Sequence, residues 1–366
     1  MKARVLSVDV FRGITIAAMI LVNNPGSWSH IYAPLEHAEW HGLTPTDLIF
    51  PFFLFIVGIT IVLAYSNTKL TGILLYKKIT IRSLKLILLG LFLGFFLAYY
   101  PFHKPLSELR LPGVLQRIGL VFFIVSIMYL NLSKRAMILW LVFILIGYWL
   151  LMTQVPINGA LPLLTKESNL AATIDLYVFT NHHTWKESYD PEGLLSTLPA
   201  IATSISGVLT GFILKNNAIE PVKKIAYFII AGFVLLIIGY TWDIIFPINK
   251  ALWTSSFVLV TTGWGLLVFS IIYYLCDVRG IAKWSQPFMA FGMNAIIVFF
   301  MSGFIAKCFY QIKLPNGTSI HGNLYNMLAS VISTPKLASL TYALIVVFFY
   351  YLLALFLYKK KIFFKV

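Results

Sequence analysis

Pro45-Thr46-Asp47-Leu48-Ile49-Phe50-Pro51-Phe52-Phe53-Leu54-Phe55-Ile56-Val57-Gly58-Ile59-Thr60-Ile61-Val62-Leu63-Ala64-Tyr65-Ser66 is the stretch that decides the fold. It carries one acid, Asp47, at its start and no base. A run of that length and apolarity crosses hydrocarbon as a helix, because about 20 residues rising 1.5 Å each span a core about 30 Å thick. Thr44 followed by Pro45 and Asp47 has the form of an N-cap, a proline at N1 and an acid at N3, so capping alone accounts for Asp47.

Comparable apolar runs occupy about 8–24, 79–100, 113–131, 136–152, 192–214, 222–245, 251–275, 286–306 and 337–357. With 45–66 they make about ten spans. The whole chain of 366 residues is 59% hydrophobic and 11% charged, with a mean hydropathy of +0.86. A soluble domain needs roughly a quarter of its residues charged, so a water-soluble globule is excluded. The expected fold class is an all-α integral membrane protein, a bundle of about ten transmembrane helices. Residues 1–366 form a single transmembrane domain, with no room for a large soluble one. No strict internal repeat interrupts this reading.

Ten spans place both termini on one side. The loops on that side and the two ends carry 18 Lys and Arg residues, the opposite loops 8, while Arg12 and Arg117 fall inside spans. By the positive-inside rule both termini are cytoplasmic, in an inner or plasma membrane. The same bias explains the net charge of +15 without nucleic acid, which is not an expected partner. Met1 to Arg4 followed by an apolar stretch has the look of a secretory leader, but Asp9 and Arg12 interrupt it and no A-x-A site follows. A retained first helix is expected. Cys276 and Cys308 bracket the ninth span, so no disulfide is expected, nor a metal site. Lys359-Lys360-Lys361 beside Phe363 and Phe364 reads as an interfacial anchor for anionic lipid.

Charged groups near a bilayer core cost about 2.5–3.5 kcal/mol each on insertion scales, so they are weighed first. Asp9 and Arg12, at i and i+3 of the first helix, neutralise each other or line a polar cavity. Arg117, one turn into the fourth span after Gln116, has no acid in its own helix and needs a partner from elsewhere, for which an anionic ligand is favoured. His37 and His41 stand at i and i+4, yet Glu39 is one place late for H-E-x-x-H, and zinc is not expected. His37 has no local structural use, and a histidine titrating near neutrality suits a general base. Asn249 and Trp253 mark the eighth span, and Asn294 lies within the ninth. Lys77, Lys78, Arg82 and Lys85 suit a polyphosphate at the cytoplasmic face, although charge bias already accounts for them. No Walker A, G-x-G-x-x-G or G-x-S-x-G is present, which disfavours ATP-driven transport, dinucleotide chemistry and serine hydrolysis in their common forms.

Several blocks, read in order, resemble a known family. They are Ser7-Val8-Asp9-Val10-Phe11-Arg12-Gly13, Val22-Asn23, His37-Ala38-Glu39-Trp40-His41-Gly42-Leu43-Thr44 and Asp47-Leu48-Ile49-Phe50-Pro51, then Leu111 to Gly119, Asp190-Pro191-Glu192-Gly193, Pro247-Ile248-Asn249-Lys250 with Trp253, and Gly292-Met293-Asn294. Together they are similar to the heparan-alpha-glucosaminide N-acetyltransferase family, in a bacterial type without the luminal N-terminal domain of the animal members. The resemblance implies a transmembrane acyltransferase that takes acetyl-CoA from the cytoplasm and acetylates the amine of a glucosamine-type sugar or glycan on the far side. It places the active-site histidine at His37, as base or acetyl carrier, and an orienting or oxyanion-stabilising group at Asn23. Asp9, Arg12, Asp47, Gln116, Arg117, Trp253 and Asn294 match family blocks and are expected to bind substrate or cofactor. Where the animal enzyme has a histidine shortly after Gly-Met-Asn, this chain has Ser302. Acetyl-CoA is the expected co-substrate, with no metal. The expected partners are the bilayer and the sugar acceptor, and a homodimer is left open. Composition alone also fits a secondary transporter of amino sugars, which would show repeat symmetry and a midplane site.

Overall fold

The protein is seen in a computed structural model that describes residues 5–364 except 67, 158, 186 and 187. Lys2, Arg4, Lys186 and Lys365, counted above for the charge bias, lie outside the described residues. The described chain folds into α1 (Leu6–Asn23), α2 (Ile49–Tyr65), α3 (Gly72–Phe95), α4 (Val114–Asn131), α5 (Lys134–Gln154), α6 (Leu170–Phe179) and α7 (Thr197–Lys215). These are followed by α8 (Pro221–Asp243), α9 (Ser255–Tyr273), α10 (Gln286–Met293), α11 (Ala295–Gln311), α12 (Ile320–Val331) and α13 (Pro335–Lys359).

Among the described residues eight helices are long and apolar enough to cross a membrane, against the ten expected, and α10 and α11, bent by 71° at Asn294, make a ninth where the pair counts as one broken span. The third span expected from the sequence falls on α3, which is 24 residues long but carries Lys77, Lys78, Arg82 and Lys85 in its first half. It starts at Gly72, seven residues earlier than the apolar run alone suggests, because a helix continues through charged side chains where they face a polar cavity. The protein is an all-α, multi-pass integral membrane protein.

The start of α2 forms as its residues predict. Thr44 and Asp47 make a reciprocal capping box around a leading 3₁₀ turn, Pro45–Leu48, with Pro45 at its first position. Burial then sorts the bundle: 61–78% of each of α1, α2, α7 and α9 is enclosed, against 22% of α5, α8 and α13, so the first four form the centre and the last three face lipid.

Two close crossings fix the centre. A Cβ on Gly58 of α2 would strike the Ser204 carbonyl, and one on Gly207 of α7 would strike that of Phe55. Gly13 of α1 and Gly292 of α10 meet in the same way. Lipid tails give helices no hydrophobic reason to associate, so small residues that let backbones touch supply the packing instead.

Both described ends of the chain meet at one face. The Asp277 carboxylate accepts from the Leu6 and Ser7 N–H groups, both at 2.8 Å, so α1 starts there. After α13 the chain turns back, where Asn294 donates to the Ile362 carbonyl at 3.0 Å and accepts from the Phe364 N–H at 3.1 Å.

Gly58→Leu is therefore expected to force α2 and α7 apart and destabilise the bundle by about 1–3 kcal/mol, the usual cost of overpacking. The check is the thermal unfolding midpoint in detergent; an unchanged midpoint would show that the crossing does not hold the bundle.

Candidate functional site

Two cavities open toward opposite faces. The first, of about 420 Å³, lies at the face away from the chain ends. Its wall is assembled from the end of α1 (Asn23), the loop before α2 (His37 to Trp40), the turn that starts α2 (Asp47, Phe50), the segment before α4 (Arg110), the segment before α7 (Trp185, Tyr189, Pro191 and Glu192) and the α8–α9 turn (Lys250).

His37 is central to it. Its Nδ1 donates to Asp47 Oδ1 at 2.7 Å, which leaves Nε2 as the ring nitrogen that accepts. The ring is half exposed while the carboxylate is 1% exposed, so a buried acid orients a histidine that faces the cavity. Asp47 is held in turn: its Oδ2 accepts from the Ala38 N–H at 3.1 Å and the Thr44 N–H at 3.0 Å. The Lys250 ammonium stands 3.0 Å from Nδ1, 3.1 Å from Nε2 and 3.7 Å from Asp47. Since Nδ1 is already donating, a Lys250 hydrogen bond goes to Nε2. Burial lowers the Lys250 pKa, and Asp47 works against that shift.

The turn that presents Lys250 is built by its neighbours. Asn249, fully buried, accepts from the Leu252 N–H through its side chain and donates its own N–H to Thr254. Trp253 follows with φ +53, a left-handed conformation that costs a bulky residue on the order of 1–2 kcal/mol. Its indole donates to Thr203 at 3.1 Å and packs edge-on against Phe50 and Phe257. His41 reaches the same turn, 3.4 Å from Asn249, and burial lowers its pKa.

Arg110 closes the opposite wall. It donates to both oxygens of Asp190, at 2.8 and 2.6 Å, and to Glu192 at 2.5 Å, and these acids hold its pKa above the ordinary value against the pull of burial. Trp40, Trp185 and Tyr189 give the mouth an aromatic rim. Burial pushes Asp175 up to about 6; it sits against Gly193 and accepts from the Leu194 N–H just before α7.

The second cavity, of about 780 Å³, opens at the face of the chain ends. Lys77, Lys78, Arg82 and Lys85 of α3 line it with Arg12, Gly292, Met293 and Phe364. Positions 78, 82 and 85 share one helical face, so a cluster already explained by charge bias is also a built wall. Arg12 bonds to Asp9 and to the Gly292 carbonyl, both at 3.2 Å.

The cavities stand back to back. Phe50 faces the first and Phe53 the second; Val114 and Ile118 divide likewise on α4, and Phe299 and Ile296 on α11. The two linings thus fall on successive turns of three helices, about 5 Å of rise apart along each.

Of the residues expected at the site, Asn23, His37 and Asp47 come together in the first cavity and Arg12 lines the second. Asp9 reaches the second through Arg12, and Asn294 through the Phe364 backbone. Gln116 packs against Gly90 and Gly113 between α3 and α4. Arg117, expected beside an anionic ligand, is instead 2% exposed within the bundle, donating to the Gly193 carbonyl at 3.0 Å and to Ser196, with Trp253 beneath it. Gln116, Arg117 and Trp253 line neither cavity. Ser302 bonds the Phe299 carbonyl of its own helix. Sequence reasoning did not select Lys250, Arg110, Glu192 or the aromatic rim, although Lys250 and Glu192 stand inside blocks it quoted.

A sequence profile for the catalytic region of heparan-alpha-glucosaminide N-acetyltransferase matches residues 4–239. The enzymes of that name from Homo sapiens and Mus musculus are each 28% identical to the chain over 426 aligned positions, which cover 99% of the chain. The chain spans 60% of the length of these curated relatives.

Asp175 supplies a pH test of the wall. Its folded pKa, about 6, is raised above the ordinary 3.8, so the folded state holds the proton more tightly. The sign follows: ionisation favours unfolding, and stability falls as pH rises from about 4 through about 6. Relative to wild type, Asp175→Asn should flatten the thermal midpoint across that interval. Parallel curves for the two proteins would show that Asp175 does not titrate there.

Proposed function

The chain belongs to the heparan-alpha-glucosaminide N-acetyltransferase catalytic family, and from that premise we propose that it moves an acetyl group across the membrane, from cytoplasmic acetyl-CoA to the amine of a glucosamine-type sugar. The observation that carries the proposal is the pair of cavities separated by one helical turn, basic on the side of the chain ends and holding His37 on the other. With the termini in the cytoplasm, Lys78, Arg82, Lys85 and Arg12 meet the donor's phosphates, and the thioester end extends toward the partition.

In this reading the acceptor amine attacks the thioester carbonyl from the first cavity, and a new C–N bond forms as the C–S bond breaks. Lys250 releases Nε2, and His37 Nε2 takes the amine proton and passes it to the departing thiolate. Asp47 holds the ring through Nδ1 and favours the imidazolium that forms. The carbonyl oxygen becomes negative in the tetrahedral intermediate, and Asn23, with the Lys250 ammonium near it, stabilises that charge.

His37→Ala should lower kcat by about 100- to 10,000-fold with labelled acetyl-CoA and glucosamine, while acetyl-CoA binding persists, as expected for loss of a general base. Turnover near wild type in the purified variant would remove His37 from the mechanism.

Sidedness has its own test. In uniformly oriented proteoliposomes, acetyl-CoA should support acetylation only from the face of the termini, with glucosamine supplied on the other. Lys78→Gln with Arg82→Gln should raise KM for acetyl-CoA and leave KM for glucosamine nearly unchanged. Activity only when both substrates share one face would sink transmembrane transfer and leave the acetyltransferase assignment standing.

A further inference from the structure

Gly147 stands apart from the other glycines of the spanning helices. A Cβ on Gly58, Gly207, Gly13 or Gly292 would strike a neighbouring backbone, whereas one on Gly147, inside α5, would meet no atom of the described chain within 4 Å. Glycine weakens a helix interior relative to alanine, so a glycine with no close crossing to serve calls for another use. It lies in a third cavity, a groove of about 930 Å³ on the lipid-facing flank, walled by α4, α5 and the first turns of α7. The groove exists because α5 packs on α7 and α9 rather than on α4, although only Leu132 and Ser133 separate the two helices in the chain. From Trp140 to Val155 it runs about 22 Å along α5, the reach of an extended acyl tail. Apolar side chains line it almost throughout, with Asn131 at one end and Gln154 at the other.

We propose that this groove is a site for one phospholipid with an anionic headgroup, its tail lying over Gly147 and its phosphate at the face of the chain ends. Charge selects the headgroup. Asn131 and Leu132, the end of the groove at that face, lead directly into Ser133, Lys134 and Arg135, and both cations are exposed. The Lys134 ammonium rests 5.0 Å from the centre of the Phe212 ring, and among the described residues neither cation has a carboxylate partner. The sequence holds no acid between Glu108 and Glu167, so no carboxylate of α4 or α5 competes for them. Basic side chains at a membrane surface attract anionic headgroups. The tail gains through close packing, since lipid and leucine are equally apolar, and a glycine lets it lie against the helix backbone. The cationic end distinguishes a lipid from a helix of a second copy of the chain, which the apolar groove alone would not.

The test is a titration of the purified full chain, stripped of native lipid, with phosphatidylglycerol or phosphatidylcholine of the same tails, read by native mass spectrometry and by the thermal midpoint. Expected is one tightly held phosphatidylglycerol that raises the midpoint more than phosphatidylcholine does. Lys134→Gln with Arg135→Gln should weaken its binding by roughly fivefold for each charge lost, the usual worth of one basic residue at an anionic surface. Gly147→Leu, which fills the groove from the chain's own side, should displace the lipid and leave the fold intact; should that variant fail to fold, the exposed pair decides alone. Equal binding of the two lipids to the wild-type chain overturns the inference, as does phosphatidylglycerol binding that the charge substitutions leave unchanged. Conversion of a dimer to a monomer by Gly147→Leu, with bound lipid unaltered, would overturn it too and assign the groove to a second copy.

Discussion

The Asp47 carboxylate is the contact on which the rest of the outer site depends. Withdrawn from water, it accepts from the Ala38 and Thr44 backbone, from Thr44 Oγ1 at 3.0 Å and from His37, and it lies 3.7 Å from Lys250. A buried carboxylate is tolerated only when its oxygens are filled in this way. The consequence is a mechanical link: the group that starts α2 also fixes the loop from His37 to Thr44 and the rotation of the imidazole. The cap that the sequence offers for Asp47 and the orientation of His37 are met together by its two oxygens, Oδ2 serving the helix start and Oδ1 the histidine.

A bilayer permits irregular backbone only where protein or a water-filled space surrounds it. That restriction explains why the break at Asn294 sits where it does. The Asn294 side chain, 1% exposed, binds the returning C-terminal segment on one side, and the bend stands in the wall of the basic cavity on the other. The Gly13 and Gly292 crossing then presses α1 onto this bent segment, so Arg12 reaches the Gly292 carbonyl. Cavity, bend and tail form one construction at the face of the chain ends, and the second glycine crossing, α2 on α7, locks the centre of the bundle beside it.

Most spans were legible because hydrophobic length is a local property: of the ten runs expected, eight fall on helices that qualify as spans, 286–306 falls on the bent pair α10 and α11, and 79–100 falls on α3, whose lysines and arginine keep it from qualifying, while the capping box at Thr44 was readable from three residues. The bend at Asn294 was not, since 286–306 is continuously apolar and carries no proline at the break. Nor was the meeting of Lys250 with His37, 213 residues apart in loops whose path no periodicity fixes. The basic face of α3 was visible as charge, but charge bias gave it a sufficient explanation. Arg117 was identified as a cation needing a partner, and its partners proved to be the Gly193 carbonyl and Ser196, supplied by the turn before α7.

Arg117 and Trp253 form a packed layer beside the cavities, which neither of them lines. The guanidinium donates through Nη2 alone; Nε and Nη1 find no hydrogen-bond partner among the described residues, with the Trp253 ring 5.2 Å from the guanidinium carbon. Trp253 is itself held in a left-handed conformation that it would leave if its surroundings allowed. Both are fastened from the side, Trp253 by Thr203 and by the edges of Phe50 and Phe257, Arg117 by the first turn of α7. A strained residue and an incompletely bonded cation persist only inside rigid packing, and here that packing is supplied jointly by α4, the first turns of α7 and the α8–α9 turn.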